Sequence, residues 1–500
     1  MRRAPNLLVI ACLAVGTFIT IRSILDREVQ SYRNETDSWP PLPKYCNIEP
    51  PDGAEGTLPK SVQRHFTMTA AAIVIRHGDR SPIHILPSNH STAAWRCVPR
   101  PESEAFAHRN WPMTKNSRAA FSVRSLRGGV PLTRSLDSAL ESDGETCLPG
   151  QLTPRGVEQH LRLGQHLALA LAPLLTLLVA NVSAGSALPM YVRSTDYTRT
   201  LLSAASLVSG MLQPHKLPSA SSPLVLHVED EEARDVMHGV GLSSSSAGSS
   251  KRSATHEAES ERAGACAKAT QLAKAQIAKW TPDVDAWARL SAMYGEGIYT
   301  KLMTTGAADA LFARACHAMP PPCSPHGGCV EAAVSAQVWR DADRFYCARF
   351  GGADGGRNAS RLAMLPLVRD IVRRLEAAAT GNGERLVLFS GHDTVVAPVV
   401  AALGGLRVPF LCNWPPYASR LVFEVWRPEI SGDPSIQLQD YVRVLFNGKA
   451  ITRHLFGCRA RLPRSTTGVT HELCPLSNLA RTVHLMAEEF AKECAEFNTT

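Results

Sequence analysis

Short apolar runs rich in β-branched residues recur along this chain, and three of them end in polar residues able to do chemistry. Ala72-Ile73-Val74-Ile75 predicts a buried strand that breaks into Arg76-His77-Gly78-Asp79-Arg80-Ser81-Pro82. Met190-Tyr191-Val192-Arg193 predicts a second strand, and Ser194-Thr195-Asp196-Tyr197-Thr198-Arg199-Thr200 turns it into a helix reaching about Leu212. Leu386–Phe389 predicts a third, ending in Ser390-Gly391-His392-Asp393-Thr394 before a helix to Leu403. Leu421–Trp426 and Tyr441–Phe446 alternate like further strands of one sheet.

Helical periodicity fills much of the remainder. Thr153 as N-cap and Pro154 at the first position open a helix predicted to run to about Ala180. Its Leu167–Ala180 half is nearly all apolar, but it contains Pro173 and follows Arg162 and His166, so it reads as a core helix rather than a membrane span. Helical patterns return at 266–280, 284–293, 296–315 and 361–379, the last followed by the turn Gly381-Asn382-Gly383. Residues 83–150 mix Ser, Pro and Arg and give no placeable element, and 219–262 reads as a disordered Ser-rich insert with interleaved acidic residues.

The N-terminus adds a compartment. Arg2 and Arg3 precede Leu7–Ile21, fifteen uncharged residues closed by Arg22. A cleaved signal peptide has an apolar stretch of similar length, but no small-x-small cleavage site follows, so a type II signal-anchor is the preferred reading. The expected organisation is a cytosolic tail (1–6), a transmembrane signal-anchor (7–25), a Pro-rich lumenal stem (26–65) and a folded domain (66–495). Twelve of the thirteen cysteines lie beyond the apolar run, an even number that suggests lumenal disulfides with pairing open. Sequons at Asn34, Asn89, Asn181, Asn358 and Asn498 are glycosylation candidates.

Composition narrows the class. Hydrophobic residues make up 44% and charged residues 20%, as in globular proteins. The net charge of +8 is scattered along the chain, which argues against a nucleic-acid partner. Cys316, Cys323 and Cys329 lie near His317 and His326, but their spacing matches no zinc knuckle and the lumen favours disulfides; no metal and no cofactor is expected. No GxxxxGK[ST], HExxH, GxSxG or strand-linked GxGxxG motif occurs, so nucleotide, zinc-protease, serine-hydrolase and dinucleotide chemistry have no foothold.

In an open α/β sheet, ligands bind outside the carboxyl ends of the strands. If the three strands are neighbours, their polar ends form one pocket of arginines, two histidines and a carboxyl group. Arginine forks match phosphate oxygens, and a histidine between them is a candidate nucleophile.

Arg76-His77-Gly78-Asp79-Arg80-Ser81-Pro82, the Arg193-Ser194-Thr195-Asp196-x-x-Arg199-Thr200 stretch and His392-Asp393 together resemble the branch-2 histidine phosphatases, the histidine acid phosphatase family. The resemblance covers most of 66–495 and implies an α/β fold: a mixed, mainly parallel sheet with helices on both faces, plus a smaller, mainly helical cap. It implies that His77 attacks phosphorus and that Arg76, Arg80, Arg199 and His392 hold the phosphoryl oxygens. Asp393 would protonate the leaving alcohol and then activate water. Asp79 is expected to orient the loop, Arg193 to be a structural partner and Asp196 to cap the following helix.

Tyr45-Cys46-Asn47-Ile48, the Cys316–Cys323–Cys329-Val330 cluster, Leu445-Phe446-Asn447-Gly448 and Cys474-Pro475-Leu476 are most similar to family members that remove the 2-phosphate from xylose in the glycosaminoglycan–protein linkage region. That resemblance implies a Golgi type II membrane protein acting on a phosphorylated glycan, with glycosyltransferases of the linkage pathway as partners. The alternatives are a general lysosomal or secretory acid phosphatase and a non-catalytic glycan-binding protein on the same fold.

Overall fold

The computed structural model describes residues 44–86, 95, 97, 121–126, 147–180, 189–212, 224–229, 235–237, 266–352, 355–407, 411–429, 438–458 and 472–498. The signal-anchor and residues 26–43 of the stem lie outside them, as do Asn34, Asn89 and Asn181, whereas 44–65 are described and bury Tyr45, Cys46, Leu58 and Val62; Asn358 is exposed in the first turn of a helix.

A nine-stranded sheet organises the larger of two compact units. Its strands are β1 (Phe66–Arg76), β2 (Phe121–Ser125), β3 (Met190–Ser194), β4 (Leu224–Val228), β5 (Leu386–Gly391), β6 (Arg420–Pro428), β7 (Tyr441–Phe446), β8 (Lys449–Ala450) and β9 (Cys474–Pro475). The order is β2-β4-β3-β5-β1-β6-β7-β8, with β9 also on β7. From β2 to β1 the pairs are parallel; β6 and β7 complete the sheet antiparallel. β1 is central and fully buried from Ala70 onward, as its continuous apolar run requires when both faces are covered.

The helices are α1 (Pro154–Ala170), α2 (Ala172–Ala180), α3 (Thr198–Leu212), α4 (Ala267–Ala278), α5 (Val284–Tyr294), α6 (Ile298–Cys316), α7 (Ala332–Tyr346), α8 (Gly356–Ala379), α9 (Asp393–Ala402) and α10 (Leu476–Asn498). Ala71, Ile73, Ile75, Val192, Leu386 and Leu388 join residues of α1, α2 and α3 in one core on one face of the sheet. The alternating residues Ala72, Val74, Val387 and Phe389 are equally buried, and α8 and α9 pack on β1 from that side. Among the described residues the second unit contains 84–86 and 283–339. In it Asp283 caps α5 by accepting from Ala286 N at 2.9 Å, and Phe312 on α6 stacks on Trp339 at 5.2 Å. It is mainly helical, as expected of the cap.

Three expectations need correction. The helix from Thr153 does not run unbroken to Ala180: α1 and α2 meet at 90° around Leu171. Pro173 has no N–H for the carbonyl four residues back and its ring crowds that turn, so the chain bends there. Among the described residues no single helix is long and apolar enough to cross a membrane, and Leu163, Leu167, Leu174, Leu175 and Leu178 of this bent pair line the core. The insert 219–262 is not disordered throughout: Leu224–Val228 is β4, buried at alternate positions between β2 and β3, and Asp235 and Met237 are also buried. Apolar alternation in Leu-Val-Leu-His-Val outweighs its low-complexity surroundings; 238–262 lies outside the described residues. Residues 83–150 likewise supply an element, the edge strand β2.

The cysteines pair as Cys97–Cys147, Cys266–Cys494, Cys323–Cys329, Cys347–Cys412 and Cys458–Cys474. Cys323 and Cys329 are therefore disulfide sulfurs rather than zinc ligands, and among the described residues no group of three or more His, Cys, Asp or Glu could hold a metal ion.

Candidate active site

β3, β5 and β1 are adjacent, parallel and level at their carboxyl ends: Ser194 pairs with Ser390, and Arg76 with Gly391. Each strand stops where its apolar run stops, so the three polar sequences emerge side by side. His77, Arg76, Arg80, Arg199, His392 and Asp393 come together there.

The β1 loop is pinned by its neighbours. Gly78 lies so close to the start of α1 that a Cβ on it would sit 2.3 Å from the Gly156 carbonyl oxygen, and one on Gly156 would sit 2.2 Å from that of Asp79. Asp79 is fully buried and accepts from the Thr153 hydroxyl at 2.5 Å, while Thr153 caps α1 by accepting from Gly156 N. Asp79 thus orients the loop against the helix N-terminus, as expected. Arg193 pairs with Asp235 at 2.9 Å and is a structural partner.

His77 Nδ1 donates to the Gly78 carbonyl at 2.8 Å, which leaves Nε2 as the lone-pair nitrogen. Among the described residues no group is hydrogen-bonded to Nε2. Burial pushes the His77 pKa well below its usual value, and Arg76, Arg199, Arg80 and His392 push it further. These surroundings favour the neutral, nucleophilic form of the imidazole.

Arg76 is fully buried, its guanidinium packed over the rings of Tyr45 at 4.6 Å and Tyr417 at 4.5 Å. Nη1 donates to the Pro415 carbonyl and Nη2 to the Tyr45 hydroxyl, and Nη2 lies 3.1 Å from Asp393 Oδ2. Its Nε–H is buried and has no hydrogen-bond partner among the described residues. Arg199, on the first turn of α3, packs over Tyr197 at 4.4 Å and reaches His392 Nδ1 at 3.4 Å. A guanidinium only donates, so the His392 proton sits on Nε2, which donates to Thr195 Oγ1 at 3.0 Å. Both ring nitrogens of His392 are engaged by protein groups.

Asp393 opens α9. Its Oδ1 accepts from Thr394 N at 2.8 Å and its Oδ2 from Trp414 Nε1 at 2.5 Å. Burial favours the neutral acid, but Arg76, the Trp414 hydrogen bond, Arg80 and the Thr394 N–H outweigh it and hold the carboxyl below its usual range. The free protein thus holds Asp393 as a carboxylate, whereas a proton donor needs it neutral.

Sequence reasoning missed Trp414 and Tyr417 as residues of the site, and it singled out Tyr45 without placing it on Arg76. Trp414-Pro415-Pro416-Tyr417 reads as a Pro-rich connection into β6, and no local periodicity says that it folds back over the β1 end. One signal was available: buried arginine needs acceptors and ring faces, and aromatics beside prolines can supply both.

An imidazole beside buried guanidinium groups, with a carboxyl at their edge, is suited to phosphoryl transfer. The matching family model is the histidine phosphatase superfamily (branch 2), over residues 67–447, and the chain belongs to that family and is a phosphatase. The chain is 28% identical to mouse 2-phosphoxylose phosphatase 1 over 468 residues, covering 88% of this chain and 81% of the relative. The human protein of that name is also 28% identical, over 460 residues. Counting factor 60 of Dictyostelium discoideum is 24% identical, covering 92% of this chain and 94% of that one. Among solved structures, the phosphate complex of Bifidobacterium longum multiple inositol polyphosphate phosphatase is similar at a TM-score of 0.47 and 14% identity, covering 88% and 97% of the two chains.

Proposed function

We propose that this phosphatase acts through a phosphohistidine at His77 and removes the 2-phosphate from xylose in the glycosaminoglycan–protein linkage region. The observation that carries the chemistry is His77 itself, with Nδ1 bound to its own loop and Nε2 left with a lone pair among cations. Nε2 attacks phosphorus as the ester P–O bond breaks. Arg76, Arg80, Arg199 and His392 bind the phosphoryl oxygens and offset the charge of the transition state. Asp393 gives its proton to the departing sugar oxygen, then takes one from the water that hydrolyses the P–N bond. Splitting the hydrolysis into two displacements lets one pocket serve both.

Asp393 is ionised in the free protein, so the proton arrives with the substrate. A phosphate monoester has a second pKa near ~6 and is partly monoanionic in an acidic secretory compartment. Transfer of its proton to Asp393 yields a dianion among the arginines and a neutral acid beside the leaving oxygen. The sugar rests on the similarity to 2-phosphoxylose phosphatases across 88% of the chain, and the placement in the Golgi membrane on the Leu7–Ile21 run behind Arg2 and Arg3.

The test is phosphate release by the purified lumenal part from a xylose-2-phosphate linkage glycan and from simple aryl phosphates, between about pH 4 and 7. Preference for the glycan supports the proposal; equal turnover of all substrates reduces the protein to a general acid phosphatase; no release from any of them removes the catalytic reading. His77→Ala is expected to abolish turnover while leaving the fold intact. Asp393→Asn is expected to slow esters with poor leaving groups far more than aryl esters.

A further inference from the structure

Asp393 Oδ2 has two donors from different parts of the chain: Arg76 Nη2 at 3.1 Å and Trp414 Nε1 at 2.5 Å. The Arg76 donor is shared with any phosphate that binds. The Trp414 donor is the ring's single N–H, held on Oδ2. Its ring is fixed on every side. It stacks on Tyr346 at 4.7 Å and 18°, meets Tyr45 edge-on at 5.1 Å, and its backbone N donates to Asp343 at 2.8 Å. The disulfide Cys347–Cys412 ties the start of its segment to the turn after α7.

We infer that Trp414 is a positioning residue for the general acid: its indole N–H occupies Asp393 Oδ2 and so directs the catalytic proton to Oδ1. Oδ2 receives two N–H groups and Oδ1 one, from Thr394 N at 2.8 Å. A proton entering the carboxyl goes to the oxygen with fewer donors. An indole N–H can only donate, so the contact always favours the ionised form over a proton on Oδ2. The depressed pKa of Asp393 accords with this. The other groups that act on its charge are Arg76 and Arg80 from the β1 loop, Arg349 from the turn after α7, and Tyr346 on α7. None of these is the ring N–H, so its removal is separable. The inference rests on the reading of Asp393 as the acid.

The experiment compares wild type with Trp414→Phe, which keeps an aromatic ring and loses the donor. The readouts are the pH profile of kcat/KM for an alkyl phosphate and for 4-nitrophenyl phosphate, and a 13C titration of the Asp393 carboxyl. Loss of a hydrogen bond to the ionised form is expected to raise the Asp393 pKa by about one to two units. Because the ester brings the proton, the alkaline limb stays with the ester's own second ionisation, while the acid limb of kcat/KM for the alkyl ester, which reports the free Asp393 carboxyl, moves up by the same amount; the nitrophenyl ester, which needs little proton donation, changes far less. An Asp393 pKa that does not move overturns the inference, as does an equal loss for both esters at every pH. Where Phe disturbs the fold, a benzothiophene side chain in place of the indole removes only the N–H and gives the same readings. Failure of the acid assignment shows separately, as equal slowing of both esters by Asp393→Asn while the carboxyl titration still responds to the indole.

Discussion

Gly78 shows how little slack a single residue has here. Its backbone touches that of Gly156, so the loop carrying His77 and the N-terminus of α1 are one packed object. A Cβ at either glycine meets a carbonyl oxygen rather than a side chain that can swing away. Gly78→Ala is expected to cost about 1–3 kcal/mol of stability, the range of other overpacked sites. It should also lower kcat by more than that loss explains at a temperature where the protein stays folded, because the strain is relieved by moving His77. Thermal unfolding and kcat of the same preparation check this; a stability loss with unchanged kcat would place the strain elsewhere. The six candidate site residues could be expected from sequence to lie together for a local reason. Each sits within a few residues of a strand end, and the β-branched run before it marks that end.

Elements that lack such marks were harder to see. β2 is an edge strand of half-buried residues, and β4 is five residues amid serine and acid, so neither has the long run that announces β1. β6 and β7 were legible as strands, but the acid inside β6 was not. Glu424 is wholly buried, accepts from Gly56 N at 2.6 Å and Trp426 Nε1 at 3.0 Å, and lies 3.5 Å from Arg443. Burial dominates these partners and pushes its pKa up to about 7. The folded state therefore keeps a proton that the unfolded chain loses near 4.5, and stability from this group falls as pH rises from about 4.5 to 7. The amount is on the order of 3 kcal/mol. Buried His160, lowered to about 3, acts with the opposite sign over part of that range, since the unfolded chain takes up a proton that the fold refuses. The clean readout is the difference between wild type and Glu424→Gln in denaturant unfolding. It should shrink in favour of the variant across that window, and a difference independent of pH would mean that Glu424 does not titrate there.

At the scale of the whole chain, helical periodicity located α4, α8 and α9 to within a few residues, but not how distant segments are joined. The twelve cysteines beyond the N-terminal apolar run leave pairing open to sequence, and the structure shows a closure of long reach, Cys266–Cys494, separated by 228 residues. It joins α4 to the C-terminal helix α10, and both pack on α8. The contact is reinforced by Glu493, which pairs with Lys268 at 3.0 Å and with Arg361 on α8, and by Arg361 with Glu489 at 2.8 Å. These surface pairs are worth little singly, so most of the hold comes from packing and the bridge. A long closed loop restricts the unfolded chain strongly, and losing such a bridge costs about 2–5 kcal/mol. Cys266→Ser with Cys494→Ser should lower the unfolding temperature accordingly. No side chain of α4 or α10 reaches Arg76, His77 or Asp393 among the described contacts, so kcat/KM of the folded variant is expected to match wild type. A fall in kcat/KM at temperatures where circular dichroism shows an intact fold would mean instead that α8, loosened by the missing bridge, carries strain through α9 to Asp393.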